Sequence, residues 1–231
     1  MRDVRGYEEK DPAVTRHLTS AYPRFVVHPF ARQLSALLTA QHSLTGQTLW
    51  LTSSARMAGE LAVHLGPGRA TTIRDGSIHG VAHPDSSELA ARAKTFLQNV
   101  GGFLSSREAE DELVRRGALA AAHPEETFPG DATAEIRRCL RRAMPAAGDG
   151  DILLAPCGMN AIYASFRAIA DLQAARGRTV WLQLGWLYLD TIAILKKFTA
   201  TPADYLYVKD VFDRDALEKL FATHGARLAG V

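Results

Sequence analysis

The last third of the chain, from about residue 150, alternates short apolar runs with amphipathic segments, and no other feature constrains the fold as strongly. The pattern predicts strands at 151–155, 179–184, 204–208 and 227–231, and helices at 161–175, 190–198 and 213–224. Strands that alternate with helices are typical of a mostly parallel sheet with helices on both faces. The predicted fold class is therefore α/β.

The preceding residues have a different organisation. Residues 1–29 are polar and are interrupted by Pro12, Pro23 and Pro29, which predicts an extended arm with one helical turn. A helix is predicted from Phe30 to about His42 because apolar residues recur there at helical spacing. We predict three domains: an arm with the first helix at 1–45, an α/β insertion at 46–145, and a third domain at 146–231.

Charge and composition exclude several classes of function. The formal net charge is +2, from 27 basic and 25 acidic residues, so nucleic acid or an acidic membrane is not an expected partner. No apolar run approaches the roughly 20 residues of a membrane span, and a cytoplasmic location is predicted. Cys139 and Cys157 lack the spacing of metal ligands, so no metal site is predicted.

A turn at 156–160 joins a predicted strand to a long helix. At such a turn the free N–H groups and the dipole of the helix can hold an anionic group, and Gly158 allows a ligand to approach the backbone. The turn is a candidate phosphate site, although glycine is also common in such turns for steric reasons alone.

Two further segments carry aromatic or basic residues that fit the same ligand. Tyr188 follows the next predicted strand, where its ring can lie on a planar heteroaromatic group; ordinary packing is the alternative. Trp186 is predicted to be a packing residue. Tyr22 and Arg24 lie two residues apart in the extended arm, so a hydroxyl and a guanidinium project to one side and suit a phosphate.

These segments together resemble the cystathionine γ-synthase family of pyridoxal-phosphate enzymes of cysteine and methionine metabolism. The sequence Gly158-Met159, followed by Ala161-Ile162, is similar to the phosphate-binding turn of that family. The Gly-Tyr-Glu-Glu sequence at 6–9 and the Tyr-Pro-Arg-Phe sequence at 22–25 resemble the fungal-type branch. The resemblance covers about 4–40 and 150–231 and implies an incomplete aspartate-aminotransferase-like large domain at 146–231.

The resemblance assigns roles to five residues. It implies that Gly158 and Met159 bind the cofactor phosphate through their amides, that Tyr188 stacks on the pyridine ring, and that Tyr22 and Arg24 reach the phosphate of a neighbouring subunit. Cys157 and Asn160 differ from the commonest family residues, which leaves side-chain contributions there open. A homo-oligomer, a dimer or tetramer, with amino-acid substrates is implied.

The same resemblance predicts that the reactive half of the site is missing. The family places its Schiff-base lysine, pyridine-binding carboxylate and substrate-binding arginine after the segment that Val231 would match. No catalytic residue is therefore assigned. None of the lysines at 196, 197, 209 and 219 is expected to form the Schiff base, since three of them lie within or beside predicted helices at solvated spacing. Asp190 and Asp204 are predicted to be a helix cap and a loop residue. The implied activity is γ-replacement on O-acylhomoserine, with this chain truncated and inactive by itself.

Two other functions remain open from the sequence. Cys157 at a helix start could be an activated thiol nucleophile with a histidine such as His28 or His42 as base, although a buried inert cysteine is the alternative. The chain could also be a non-catalytic module that binds a phosphorylated ligand or supports assembly.

Overall fold

The computed structural model describes residues 2–9, 11–17 and 27–231, and the chain forms two compact units. The first unit comprises Met1–Gln98 and Gly102–Glu125; the second comprises Asn99–Gly101 and Glu126–Val231. The predicted domain boundaries at 45 and 145 stay a prediction. Among the described residues, no helix combines the length and apolar character needed to cross a bilayer.

The first unit contains helices and one small sheet. Its elements are α1 (Arg2–Glu8), α2 (Pro12–Thr15), α3 (Pro29–Gln41), β1 (Gln47–Thr52), α4 (Ala55–Leu65), β2 (Thr71–Asp75), β3 (Ile78–Pro84), most of α5 (Ser87–Val100), and α6 (Ser106–Arg115). The prediction of an extended arm is wrong for residues 2–15, which form two short helices. Asp11 caps the second one by accepting a hydrogen bond from Ala13 N at 2.8 Å, with Pro12 in the first helical position.

The sheet of the first unit has the antiparallel order β1-β3-β2. Leu49 and Leu51 of β1 lie on one face, opposite Ala82 and Gly80 of β3, and their side chains join a core with α3 and α6. Val81 points to the other face, since side chains alternate along a strand, and it is fully buried. Both faces of β3 are therefore buried, and the buried residues include His83, whose ring accepts a hydrogen bond from Trp50 Nε1 at 3.1 Å.

An acidic residue of α6 fixes the end of the first unit. Glu110 is only 2% exposed and accepts hydrogen bonds from His123 N at 2.9 Å, from His123 Nδ1, and from Arg107 at 3.0 Å. The His123 ring, the His123 amide and Arg107 together lower the pKa of Glu110 from 4.5 to about 2, against the opposing effect of burial. The loop that contains His123 is thereby attached to α6 by a carboxylate.

The second unit contains the parallel sheet. Its elements are α7 (Ala132–Ala143), a 3-10 turn (Asp149–Asp151), α8 (Gly158–Ala174), β4 (Val180–Leu184), α9 (Leu189–Phe198), a 3-10 turn (Pro202–Asp204), β5 (Tyr205–Val208), α10 (Arg214–His224), a 3-10 turn (Gly225–Arg227), and β6 (Leu228–Gly230). The strand order is β5-β4-β6, and both pairings are parallel. An α/β fold with a small parallel sheet is thus confirmed for this unit, whereas the larger aminotransferase-like sheet stays a prediction.

Helix α8 packs on the central strand and on α9. The Phe166 and Trp181 ring centroids are 4.7 Å apart, and those of Tyr163 and Phe198 are 5.1 Å apart. These contacts hold α8 against β4 and α9 by aromatic packing, which stabilises more than apolar area alone.

The strand predicted at 151–155 is wrong. Asp151 ends a 3-10 turn, and residues 152–155 have no strand conformation. Leu153 is 86% exposed. An apolar run becomes a strand only when its backbone groups pair with a neighbour, and the strands described in this unit pair only among themselves.

Candidate functional site

The start of α8 has the geometry of an anion-binding turn. Cys157 precedes the helix in an extended conformation and makes no hydrogen bond from its side chain to the first turn. By contrast, α4 and α6 begin with Ser54 and Ser105, which accept hydrogen bonds from the amides of Met57 and Glu108, both at 3.1 Å. The first amides of α8 therefore lack a side-chain cap, and the helix dipole favours an anion there.

Gly158 has space beside its backbone, because a Cβ built there meets no atom within 4 Å. A phosphate can therefore approach the backbone at Gly158, whereas Met159 is buried. The amide nitrogen of Asn160 instead lies close to Gly101, since a Cβ on Gly101 would be 2.9 Å from it. The open space fits a phosphate at Gly158, and the predicted phosphate roles of Gly158 and Met159 stay predictions.

The loop that carries Tyr188 is held rigidly at the end of the central strand. Gln183 of β4 is buried; its Nε2 donates to Gly185 O at 2.7 Å, and its Oε1 accepts from the hydroxyl of Tyr205 at 2.6 Å. Burial raises the pKa of Tyr205, and nearby Tyr207 adds to this effect, so the hydroxyl stays protonated as a donor. Gly185 N donates to Val208 O at 2.8 Å, with Gly185 at φ +62, where glycine is favoured.

Tyr188 is the residue before α9 and caps that helix without a side-chain hydrogen bond to it. Tyr188 is 55% exposed, so part of the residue is accessible to a ligand. Trp186, in the same loop, is 77% exposed, and the prediction that it is a packing residue is wrong. The loop places two aromatic rings at the surface because its backbone is anchored by Gln183 and Val208.

One short segment contacts the starts of both α8 and α9. Asn99 Nδ2 donates to Asp190 Oδ1 at 3.0 Å, Asn160 Nδ2 donates to Val100 O at 3.4 Å, and Cys157 Sγ contacts Gly101 O at 3.6 Å. Because 99–101 are consecutive residues, the first turns of the two helices lie close together. Residues 99–101 thus connect the start of α8 with the start of α9.

The acidic residues of this unit differ from the sequence prediction. Asp190 is not the helix cap but a buried residue of the first turn of α9. Asp204 lies in the connection between α9 and β5, as predicted, but it is buried there, with Arg227 donating at 2.7 Å and the Thr201 hydroxyl at 3.0 Å. Both carboxylates are held by protein partners, and the prediction that neither binds a pyridine nitrogen stays a prediction.

The lysines and Cys157 also have defined surroundings. Lys197 Nζ donates to Asn99 Oδ1 at 2.6 Å, and Lys196 Nζ lies 5.9 Å from the centroid of the Tyr205 ring. Cys157 is a free, exposed cysteine rather than a buried one. Its sulfur lies 3.6 Å from the Gly101 carbonyl oxygen.

Two predicted site residues cannot be placed in the structure, and two residues that support the site were not predicted from the sequence. Tyr22 and Arg24 lie outside the described residues. Sequence reasoning did not find Asn99 or Gln183. Asn99 contacts Asp190, which is 91 residues away along the chain, and Gln183 contacts Tyr205, which is 22 residues away. A lone amide in a helix or a strand carries no local signal, so nothing in the sequence pattern could have identified them.

Comparisons with known proteins show similarity to one class of enzymes. The chain is similar to enzymes from pyridoxal-phosphate-dependent families, which confirms pyridoxal phosphate as the cofactor expected for a full-length relative. The similarity supports the cysteine and methionine metabolism group as a whole and does not single out the cystathionine γ-synthase branch.

Two relatives carry this similarity. An L-2-amino-4-chloropent-4-enoate dechlorinase/desaturase of Streptantibioticus cattleyicolor is 35% identical over 231 residues, which are 100% of this chain and 46% of the relative. A cystathionine gamma-synthase of Neurospora crassa is 28% identical over 156 residues, 61% of this chain and 24% of the relative. The chain thus spans about half or less of the length of these relatives. No family profile and no solved structure matches it.

Proposed function

We propose that this chain supplies the phosphate- and ring-binding part of a pyridoxal-phosphate site in an enzyme that eliminates or replaces a group at the γ-carbon of an amino acid. The observation that carries the proposal is that residues 99–101 contact the starts of two helices without side-chain caps, one with open space at Gly158 and one beginning at the exposed Tyr188. Similarity over all 231 residues of this chain to part of a relative from a pyridoxal-phosphate-dependent family supports it.

Each residue of the proposed site has one task. The amides of Gly158 and Met159 bind the phosphate, aided by the dipole of α8, and the ring of Tyr188 lies against the pyridine. Tyr22 and Arg24 complete the phosphate site from a neighbouring subunit of a homo-oligomer. When bound, pyridoxal phosphate supplies the electron sink for the reaction. The lysine that carries it is proposed to come from outside this chain, because Lys196 and Lys197 contact Tyr205 and Asn99.

The substrate class follows from what the two relatives share. The name of the dechlorinase describes a 2-amino acid with chlorine on carbon 4, which is the γ-carbon. The cystathionine γ-synthase resemblance implies O-acylhomoserine, whose leaving group is on the same carbon. We therefore propose an amino acid with a leaving group at carbon 4, either a halide or an acylated oxygen.

The test is binding of pyridoxine 5′-phosphate to the full chain, measured by isothermal titration calorimetry. This probe has the ring and the phosphate of the cofactor but no aldehyde, so it cannot react with surface lysines. Replacing Tyr188 by leucine is expected to weaken binding about five-fold, because ring stacking contributes about 1 kcal/mol. Replacing Tyr188 by phenylalanine should preserve the affinity.

A matched control comes from the same loop. Trp186→Leu removes an exposed aromatic residue two positions away and should leave the affinity unchanged. The proposal is wrong if the wild-type chain does not bind the probe, or if Trp186→Leu weakens binding as much as Tyr188→Leu does.

A further inference from the structure

Asn99 connects two charged side chains of α9. Its Nδ2 donates to Asp190 Oδ1 at 3.0 Å, and its Oδ1 accepts from Lys197 Nζ at 2.6 Å. Asp190 and Lys197 are seven residues apart, which is about 10 Å along a helix axis. The side chains of both residues reach the Asn99 amide between them. Its oxygen lies toward the ammonium group and its nitrogen toward the carboxylate, which is the only orientation of the amide that satisfies both charges.

This bridge is a strong local constraint. Asn99 is 6% exposed and Asp190 is 7% exposed, so water competes poorly for these hydrogen bonds. Bonds to charged partners are stronger than neutral ones, and a buried carboxylate that loses a donor is costly. Asp190 is two residues after Tyr188, and Tyr188 O accepts the first hydrogen bond of α9 from Ile192 N at 3.1 Å. Fixing Asp190 therefore fixes the position of Tyr188.

The two residues after Asn99 act on the other helix. Val100 O and Gly101 O contact the side chains of Asn160 and Cys157, which belong to the phosphate turn. The Asn99 side chain, in contrast, forms its described hydrogen bonds with Asp190 and Lys197, which both belong to α9. The side chain of Asn99 and the backbone at 100–101 thus support different ends of the candidate site.

We infer that Asn99 is a positioning residue for the ring-binding end of the site: through Asp190 it holds Tyr188 at the height where a phosphorylated pyridine, bound by α8, meets its ring. This inference rests on the proposed function and adds a residue that does not touch the ligand. It has a consequence that a general stabilising role lacks, since loss of Asn99 changes recognition of the ring and leaves recognition of the phosphate intact.

The experiment compares two ligands on one variant. Asn99→Leu keeps the size of the side chain and removes both hydrogen bonds. Calorimetric titration of the full chain with pyridoxine 5′-phosphate should show about five-fold weaker binding, the amount expected when stacking on Tyr188 is lost. Titration with inorganic phosphate should show unchanged affinity. Gln98→Leu, which alters the neighbouring amide of α5, should change neither.

A second measurement does not depend on a ligand. In amide NMR spectra of Asn99→Leu, the signals of Tyr188 and Leu189 should move, and those of Gly158 and Met159 should stay in place. The inference is overturned if the variant binds pyridoxine 5′-phosphate as the wild type does, if both ligands weaken equally, or if the Gly158 and Tyr188 signals move together. Failure of the wild-type chain to bind either ligand contradicts the proposed function instead, and the NMR comparison then decides the role of Asn99 by itself.

Discussion

Replacing Gly101 by alanine should destabilise the second unit far more than the same change at another glycine of similar conformation. Gly101 has φ +63, and a Cβ there would lie 2.4 Å from Cys157 Sγ, 2.9 Å from Asn160 N and 3.2 Å from Met159 Cβ. Separations below 3.0 Å force atoms to move, and one of these atoms belongs to the backbone of α8.

The magnitude has two parts. Left-handed backbone costs a non-glycine residue about 1–2 kcal/mol, and insertion of a methyl group into a packed contact costs about 1–3 kcal/mol. The sum, about 2–5 kcal/mol, is a large part of the 5–15 kcal/mol that typical domains possess. Gly177 is the matched control: it has φ +73 and no atom within 4 Å of a built Cβ, so Gly177→Ala should show only the first part.

The assay is urea unfolding of the full chain, followed by circular dichroism, with the free energy of unfolding compared among the wild type, Gly101→Ala and Gly177→Ala. The double variant Gly101→Ala with Cys157→Ala removes the closest atom and should regain about 1 kcal/mol. If Gly101→Ala costs no more than Gly177→Ala, the close packing of residues 99–101 on α8 is wrong, and the argument for a shared support of both helix starts fails with it.

Three other outcomes are expected. The folded-state pKa of Glu110 is depressed to about 2, so its stabilising contribution is fully present above about pH 4.5 and is lost as the pH falls toward 2. Glu110→Gln should therefore flatten the pH dependence of the free energy of unfolding between these pH values. An unchanged profile would contradict the hydrogen bonds assigned to Glu110. Gly80→Ala should lower the free energy of unfolding in the same assay by about 1–3 kcal/mol, since a Cβ there would lie 2.6 Å from Trp50 O. An unchanged free energy of unfolding would show that β1 and β3 pack differently. Arg227→Ala should lower the free energy of unfolding by about 1–2 kcal/mol, because it leaves the buried carboxylate of Asp204 without its partly exposed cationic partner. An equal loss in Arg227→Lys, which keeps the positive charge, would contradict this prediction.

Much of the local structure could be predicted from the sequence. Helix α6 begins where Ser105 and Glu108 indicate it, and the hairpin of β2 and β3 turns at Asp75-Gly76. The parallel strands β4, β5 and β6 lie within one or two residues of their predicted positions. These features depend on caps, turn residues and periodicity, all of which are properties of neighbours in the chain.

The sequence by itself determined where helices and strands can form, and which residues resemble a cofactor site. Only the tertiary structure decided what those segments contact. The apolar run at 152–155 is typical of a strand, yet it has no pairing partner among the described strands. The position of Asp190 is typical of a helix cap, yet Asp190 is buried beside Asn99. Pairing and burial depend on groups that are distant along the chain, and a local pattern carries no information about which of them the folded backbone brings together.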